Sequence, residues 1–227
     1  MNIKCCRICS SSDIELFFEL GSQPLANCLR KNINDKLDNY PLNLIFCHKC
    51  SSVQLDFTVD PEILFQNYVW VTGTSKAANA YSKYFYDELI KRSNQSFDTV
   101  VEIASNDGTF LKPFEKNFKN IIGVDPASNI AGIANKDGIT TINNYFDKNL
   151  AEEIRNNNQN IDIIFARNVI PHVKELHSIV EGISILSKAD SLIAIEFHYS
   201  GKIVSELHYD SIYHEHLFYF TIETIGN

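Results

Sequence analysis

Residues 98–108, DTVVEIASNDG, decide the fold class of this chain. The stretch is apolar and β-branched up to Ile103 and then breaks into a polar turn, which is typical of a short buried strand. Four more apolar segments follow, with helical segments between them: NIIGVD at 120–125, GITTIN at 138–143, IDIIFARN at 161–168 and SLIAIEF at 191–197, with helices clearest at 151–155 and 174–186. Alternating strands and helices predict an α/β fold, a parallel sheet covered on both faces.

Acidic side chains lie where the first two predicted strands end. Asp125 follows Glu102 by roughly 20 residues, where a carboxylate can bind both hydroxyls of a ribose. Both NAD enzymes and S-adenosylmethionine (SAM) methyltransferases share this arrangement, but a dinucleotide needs G-x-G-x-x-G in the first turn. Here that turn has one glycine and an acid, which favours the positively charged SAM over NAD; a plain turn with a solvated acid is the alternative. The predicted cofactor residues are Glu102, Ser105, Asn106, Asp107, Gly108 and Asp125.

The third and fourth strands end in further candidate ligands. Tyr145 and Phe146 follow the third strand, where an adenine ring could stack, although Phe146 could equally belong to the core. Asn168 and His172 follow the fourth strand, at the sheet edge where ligands of such folds bind. A purely structural histidine is the alternative at His172.

Two C-x-x-C pairs near the N-terminus predict a zinc site. Their four thiolates would complete the tetrahedron that zinc prefers, so we expect a closed structural site on Cys6, Cys9, Cys47 and Cys50. Cys5 could compete with Cys6, and unrelated free thiols are the alternative. The sequence predicts a zinc lobe at 1–66, a helical connection at 67–97 and a cofactor core at 98–227. Thr74 or Ser75 would cap the connecting helix, and Tyr68 before it is either packing or a phenol in a substrate cleft.

The segment YHEH, from Tyr213 to His216, combines two imidazoles, a carboxylate and a phenol. A catalytic metal is disfavoured, because no third ligand is evident and the H-E-x-x-H spacing is absent. Proton transfer fits better, since histidine titrates near neutrality and a carboxylate can orient it. Tyr213, Tyr68 or His172 could then donate hydrogen bonds to an enolate.

Composition excludes several classes of protein. The chain has 227 residues, 44% hydrophobic and 21% charged, with a formal net charge of −8. This charge argues against nucleic-acid binding. No segment approaches the ~20 apolar residues of a membrane helix, and no signal peptide is evident, so a cytoplasmic location is expected. Cysteines in that compartment are reduced, metal-bound or catalytic rather than disulfide-paired.

Taken together, CRIC, LGSQPLAN, CHKC, EIASNDGTFL, GVDPA, ARNVIPHV and YHEH resemble the zinc-containing, SAM-dependent sugar C-methyltransferases along nearly the whole chain. The resemblance implies a class I methyltransferase (Rossmann-like) core and methylation of a nucleotide-linked 4-keto deoxysugar after enolisation. It implies that His216 is the base and Glu215 its orienting partner, and that Tyr213, Tyr68, Asn168 and His172 line the sugar site. Pro126 and Arg167 fall within its cofactor motifs.

One departure from that family is the length of the chain. The family continues well past H-E-H, so we expect a missing C-terminal half or a partner chain, and we expect the apolar strand at 191–197 to be an interior strand. Two alternative functions are an NAD-linked sugar oxidoreductase or epimerase, and a zinc-stabilised binding module without catalysis.

Overall fold

A computed structural model describes residues 3–30, 32–94 and 97–226 of the protein. The chain forms two compact units. The cysteine unit comprises Met1–Leu64, Ile170–Leu176 and Phe197–Asn227, and the sheet unit comprises Phe65–Val169 and His177–Glu196. Each unit therefore contains residues from more than one stretch of the sequence.

The sheet unit contains the predicted parallel sheet. Its strands pair in the order β6-β5-β4-β7-β8, and every pairing is parallel. Consequently the carboxyl ends of all five strands lie along one edge. The strands are β4 (Thr99–Ile103), β5 (Asn120–Val124), β6 (Thr141–Ile142), β7 (Ile161–Arg167) and β8 (Leu192–Glu196).

Four helices belong to the connections of this unit. They are α2 (Lys76–Arg92), α3 (Ser128–Lys136), α4 (Lys148–Asn157) and α5 (Leu176–Leu186). Ser75 caps α2 as predicted, since its side chain accepts a hydrogen bond from the Ala78 amide, and Asp147 caps α4 in the same way. The segment after the first turn forms a short 3-10 helix, Lys112–Lys116, with Pro113 in its first turn, where the missing amide proton is not needed.

Aromatic side chains pack α2 onto the sheet. Phe165 of β7 is fully buried, and its ring centroid lies 5.3 Å from that of Phe85 on α2 and 5.7 Å from that of Phe114. Burial of each such ring stabilises the fold by roughly 2 kcal/mol. This packing fixes the sheet on which the candidate site is built.

The strand expected in the sheet interior lies instead at an edge. Within the described residues β8 pairs only with β7, and Ile193 and Ile195 are 43% and 40% exposed. The sequence suggested an interior strand because both faces are apolar. An interior position would need a further strand beside β8, so that expectation stays a prediction.

The cysteine unit is built on an antiparallel sheet of order β1-β2-β3-β9. Its strands are β1 (Ile14–Pro24), β2 (Asn39–Cys47), β3 (Val53–Leu55) and β9 (Phe218–Tyr219), and its short helices are α1 (Pro61–Phe65, which ends at the border), α6 (Ser200–Ser205) and α7 (Ile222–Ile225). β9 pairs with β3, so the chain returns to this unit after β8. The compact units thus differ from the expected ranges 1–66, 67–97 and 98–227, because a strand pairing links residues far apart in sequence.

Candidate functional site

The four cysteines predicted to bind zinc lie together. Their sulfur atoms are all within 4.8 Å of one another, with Cys6–Cys50 and Cys9–Cys47 separations of 3.6 and 3.5 Å. A zinc tetrahedron with bonds of about 2.3 Å has sulfur–sulfur edges of about 3.8 Å, so the group fits this ion. Cys5 is exposed and lies outside the group, which leaves Cys6 as the ligand.

Polar neighbours stabilise the Cys6 thiolate. Gln54, fully buried on β3, donates its side-chain amide to Cys6 Sγ at 3.1 Å, and the Ser52 hydroxyl lies 3.5 Å away. Burial acts to raise the pKa of Cys6, but these and backbone hydrogen bonds outweigh it and lower the pKa to about 6. Thiolate is the form that binds zinc, so this environment prepares the site for the metal.

The turn after β4 has an unusual backbone. Ala104, Asn106 and Gly108 all have positive φ, at 57°, 50° and 76°. A Cβ atom on Gly108 would lie 2.9 Å from the Ile139 side chain, so only glycine fits there. Strained turns of this kind concentrate at ligand sites.

Asp125 holds this turn in place. Its two carboxylate oxygens accept hydrogen bonds from the amides of Asn106 and Ala127, each at 2.9 Å. Burial raises its pKa, against the lowering effect of these two bonds. Each oxygen keeps a second lone pair, so the carboxylate can still accept two ribose hydroxyls. Pro126 stands between Asp125 and Ala127 in the sequence, so the hydrogen bond from the Ala127 amide to Asp125 spans it.

Glu102 has a buried carboxylate oxygen that could accept a hydrogen bond from a ligand. It is 2% exposed, and among the described residues its Oε2 atom has no hydrogen-bond partner. Burial raises its pKa well above the usual value, while Arg167 acts in the opposite direction. An unpartnered buried acceptor is costly, and a cationic donor such as the SAM ammonium would satisfy it. The cofactor therefore fits the residues present.

Two other residues of the turn pack against their neighbours, and among the described residues the buried Ser105 hydroxyl has no hydrogen-bond partner. Asp107 accepts hydrogen bonds from the Gly73 amide at 2.9 Å and the Thr109 hydroxyl at 2.7 Å. Ser105 is buried beside Gly123, where an added Cβ would lie 2.4 Å from the hydroxyl oxygen. We therefore infer that both residues shape the turn.

The two aromatic residues after β6 differ in placement. Tyr145 is 43% exposed, whereas Phe146 is 7% exposed and packs against Gly182 of α5. Tyr145 is thus the better placed of the two to stack on a ring. Asn143, which sequence reasoning missed, donates its side-chain amide to the carbonyls of Asp125 and Pro126 and so ties β6 to the cofactor turn.

Sequence reasoning also missed Glu196, at the carboxyl end of β8. Its carboxylate accepts hydrogen bonds from the Tyr81 hydroxyl at 2.7 Å, Arg167 Nη2 at 2.8 Å and Asn168 Nδ2 at 3.1 Å. Asn168 has a positive φ of 50°. The signal that could have identified Glu196 is an acid at a strand end, as at Asp125.

Arg167 has a packing role in this network. Its guanidinium lies 3.2 Å from the Phe110 ring centroid and stacks near Phe85. Burial and the hydrogen bond to Glu196 raise the pKa of Tyr81 to about 12, so this phenol remains a donor. Arg167 thus packs on aromatic rings and pairs with Glu196, and its predicted cofactor role stays a prediction.

His216 lies at the centre of a histidine cluster in the cysteine unit. It is 6% exposed, and its ring centroid lies 4.3 Å from Tyr213, 4.7 Å from His172 and 5.2 Å from His198. Its Nδ1 donates to the Ser211 carbonyl at 2.7 Å, so the neutral ring carries its lone pair on Nε2. Burial lowers its pKa to about 4, despite the bond to Ser211.

The other residues of YHEH have different partners. Glu215 is buried and accepts a hydrogen bond from the Asn27 side chain at 2.6 Å, which ties it to the segment after β1. His214 donates Nε2–H to the Tyr40 carbonyl at 3.1 Å, and burial lowers its pKa. The Ser211 backbone carbonyl thus orients the His216 ring, and the orienting role that the family resemblance implied for Glu215 stays a prediction.

Tyr68 is described within the sheet unit. Its backbone amide and carbonyl both bond to the Asn129 side chain, and its ring lies 6.1 Å from that of Phe65. Asn129 on α3 thereby fixes the segment that carries the phenol.

Two family models match the chain. One, described as a candidate zinc binding domain, matches residues 6–65, and the other, described as a methyltransferase domain, matches residues 78–227. C-methyltransferase NovU from Streptomyces niveus is 30% identical over 223 residues, which cover 97% of this chain and 53% of that protein. The chain therefore spans about half the length of this curated relative.

Solved methyltransferases share the fold. The plantazolicin methyltransferase BamL in complex with SAH is 20% identical, with a TM-score of 0.52 over 66% of this chain and 60% of that chain. A SAM dependent methyltransferase from Archaeoglobus fulgidus is 18% identical, with a TM-score of 0.52 over 65% of each chain. The Rossmann-like sheet has the fold of these SAM-dependent methyltransferases. The chain belongs to the methyltransferase domain family.

The described helices include none that is both long enough and apolar enough to span a membrane.

Proposed function

We propose that the protein transfers a methyl group from SAM to the carbon beside the ketone of a nucleotide-linked 4-keto deoxysugar. The observation that carries this proposal is the state of His216, a buried neutral imidazole whose lone pair is fixed on Nε2 by the Ser211 carbonyl. A carbon acid must lose a proton before it can be methylated, and a positioned imidazole is suited to remove it. The name of the relative, a C-methyltransferase, supports a carbon acceptor.

Each residue of the two sites has a role in this proposal. SAM, when bound, supplies an electrophilic methyl group. Glu102 would hold its ammonium group, Asp125 its ribose and Tyr145 its adenine. His216 would take the proton from the sugar carbon, and Tyr213, Tyr68 and His172 would donate hydrogen bonds to the resulting enolate oxygen. Asn168 would accept a hydrogen bond from a sugar hydroxyl, since its amide nitrogen already donates to Glu196.

Zinc would have a structural role only. The four cysteines complete a closed tetrahedron that leaves no position for a substrate. Glu215 would keep YHEH in place through Asn27. We also propose that a further strand, from a longer form of the protein or from a partner chain, pairs with the exposed edge of β8.

The test is incubation of the purified chain with isotope-labelled SAM and a nucleoside diphosphate 4-keto-6-deoxyhexose. We expect a labelled methyl group on a ring carbon, located by NMR, and exchange of the adjacent carbon proton with deuterium in heavy water. A methyl group on oxygen, or NAD binding in place of SAM, would overturn the proposal. Zinc and SAM binding without methylation of this or related sugars would favour the binding-module alternative.

A further inference from the structure

His216 lies between a buried side and an exposed side of the histidine cluster. Its Nδ1 is occupied by Ser211, so a proton taken from substrate can reside only on Nε2. The ring is 6% exposed, which restricts direct transfer of that proton to water. Each turnover nevertheless requires the base to return to its neutral form.

Among the described residues, four ring side chains that can exchange protons have centroids within 6.5 Å of that of His216. Burial and the two neighbouring imidazoles lower the pKa of His172 to about 3, so it does not accept a proton near neutrality. Tyr213 and the more distant Tyr219 are phenols, and burial raises the pKa of Tyr219, so it stays protonated. His198 differs from all of these because it is exposed to solvent.

The geometry of His198 suits proton exchange with His216. The two ring planes are nearly perpendicular, at 88°, and their centroids are 5.2 Å apart. At this distance and angle, a hydrogen bond or one bridging water can join a nitrogen of one ring to a nitrogen of the other. His198 lies two residues after β8, at a position that no motif in the sequence marked.

We propose that His198 is a proton-relay residue that carries the proton from His216 to solvent, an inference that rests on the proposed function. The C–H bond of the sugar carbon breaks, its electron pair stays on the substrate as the enolate, and the proton moves to His216 Nε2. The proton then moves to a ring nitrogen of His198, whose other nitrogen releases one to water or to a buffer base. His216 is neutral again, and no oxidant or reductant is consumed.

The test is His198→Gln, with His198→Asn as a second variant and His177→Gln as the matched control, because His177 is exposed on α5 and outside the cluster. In dilute buffer we expect both His198 variants to lose about tenfold or more in kcat for methylation of the nucleoside diphosphate 4-keto-6-deoxyhexose, with KM for SAM unchanged. Added imidazole should restore much of the loss, a rescue that a merely structural role would not give.

The outcomes distinguish this inference from the proposed function. If the wild-type chain methylates the sugar but the His198 variants match it in dilute buffer, or are slow and not rescued by imidazole, the relay is overturned and the function stands. If the wild type methylates no keto sugar, the proposed function itself fails. Circular dichroism of each variant shows that a rate loss is not a loss of fold.

Discussion

His216 and His214 are two residues apart, yet the structure gives them different surroundings. Each ring donates one N–H to a backbone carbonyl, which leaves the lone pair of His216 on Nε2 and that of His214 on Nδ1. The His216 ring lies among the rings of Tyr213, His172 and His198, whereas His214 is 2% exposed and lies beside Tyr40 on β2. In sequence the two are nearly equivalent. At the scale of single residues, the surroundings of the two rings support His216 as the proposed base.

Replacing each histidine by asparagine tests that assignment. We expect His216→Asn to lower methyl transfer and carbon-proton exchange by about 10²- to 10⁴-fold, because a general base is lost, with SAM affinity unchanged. His214→Asn should chiefly lower stability, by about 1 kcal/mol, through its bond to Tyr40. Loss of proton exchange in the His214 variant alone would reverse the assignment.

Stability should depend on pH through His216. Its pKa is about 4 in the folded chain against 6.5 as the ordinary value, so the unfolded chain binds more protons below pH 6.5. The contribution is fully present above pH 6.5 and is lost progressively down to about pH 4. Between pH 7 and pH 5 we expect the free energy of unfolding to fall by roughly 2 kcal/mol from this group, and His216→Asn should remove that part. Urea unfolding at both pH values measures it; an equal fall in wild type and variant would contradict the prediction.

The turn after β4 shows how an element shapes the cofactor site. Gly108→Ala places a methyl group 2.9 Å from Ile139 at a φ of 76°, so we expect a loss of about 2 kcal/mol and weaker SAM binding. Gly132→Ala is the control, since nothing lies within 4 Å of its added Cβ on α3, and it should stabilise the chain slightly. Thermal unfolding and calorimetric titration with SAM test both. Unchanged or tighter SAM binding by Gly108→Ala would contradict the prediction that this turn shapes the cofactor site.

The edge of strand β8 that is unpaired among the described residues leads to a second prediction at the scale of elements. Ile195 is 40% exposed on an edge that can pair with another strand. We expect Ile195→Lys to lower self-association, or binding of the partner strand, while the sheet stays folded. Val180→Lys on the exposed face of α5 is the control. Light scattering measures the change, and equal association of both variants would argue against pairing at β8.

For the whole molecule, the two units should respond differently to metal removal. The four clustered cysteines of the cysteine unit would be joined by a metal ion, whereas the sheet unit has its own aromatic core. We expect a chelator to unfold the cysteine unit, including the β3–β9 pairing next to His216, and to leave SAM binding largely intact. Hydrogen exchange with mass spectrometry resolves the two units. Protection lost equally in both would show that they unfold as one.

The sequence alone determined a large part of this protein. Alternating apolar strands and helices predicted the parallel sheet, the acid at Asp125 and the one-glycine turn predicted the cofactor edge, and the C-x-x-C spacing predicted the metal group. These features are local, because each depends on residues a few positions apart, on strand periodicity or on ligand spacing.

Only the tertiary structure decided the rest. The return of β9 to β3, the edge position of β8, the convergence of Tyr81, Arg167 and Asn168 on Glu196 and the contact of His198 with His216 all join residues distant in sequence. Such contacts depend on how several elements pack at once, and no pattern within one element encodes them. Gln54 beside Cys6 is another case, since nothing near it in sequence marks it as the donor to a thiolate 48 residues away.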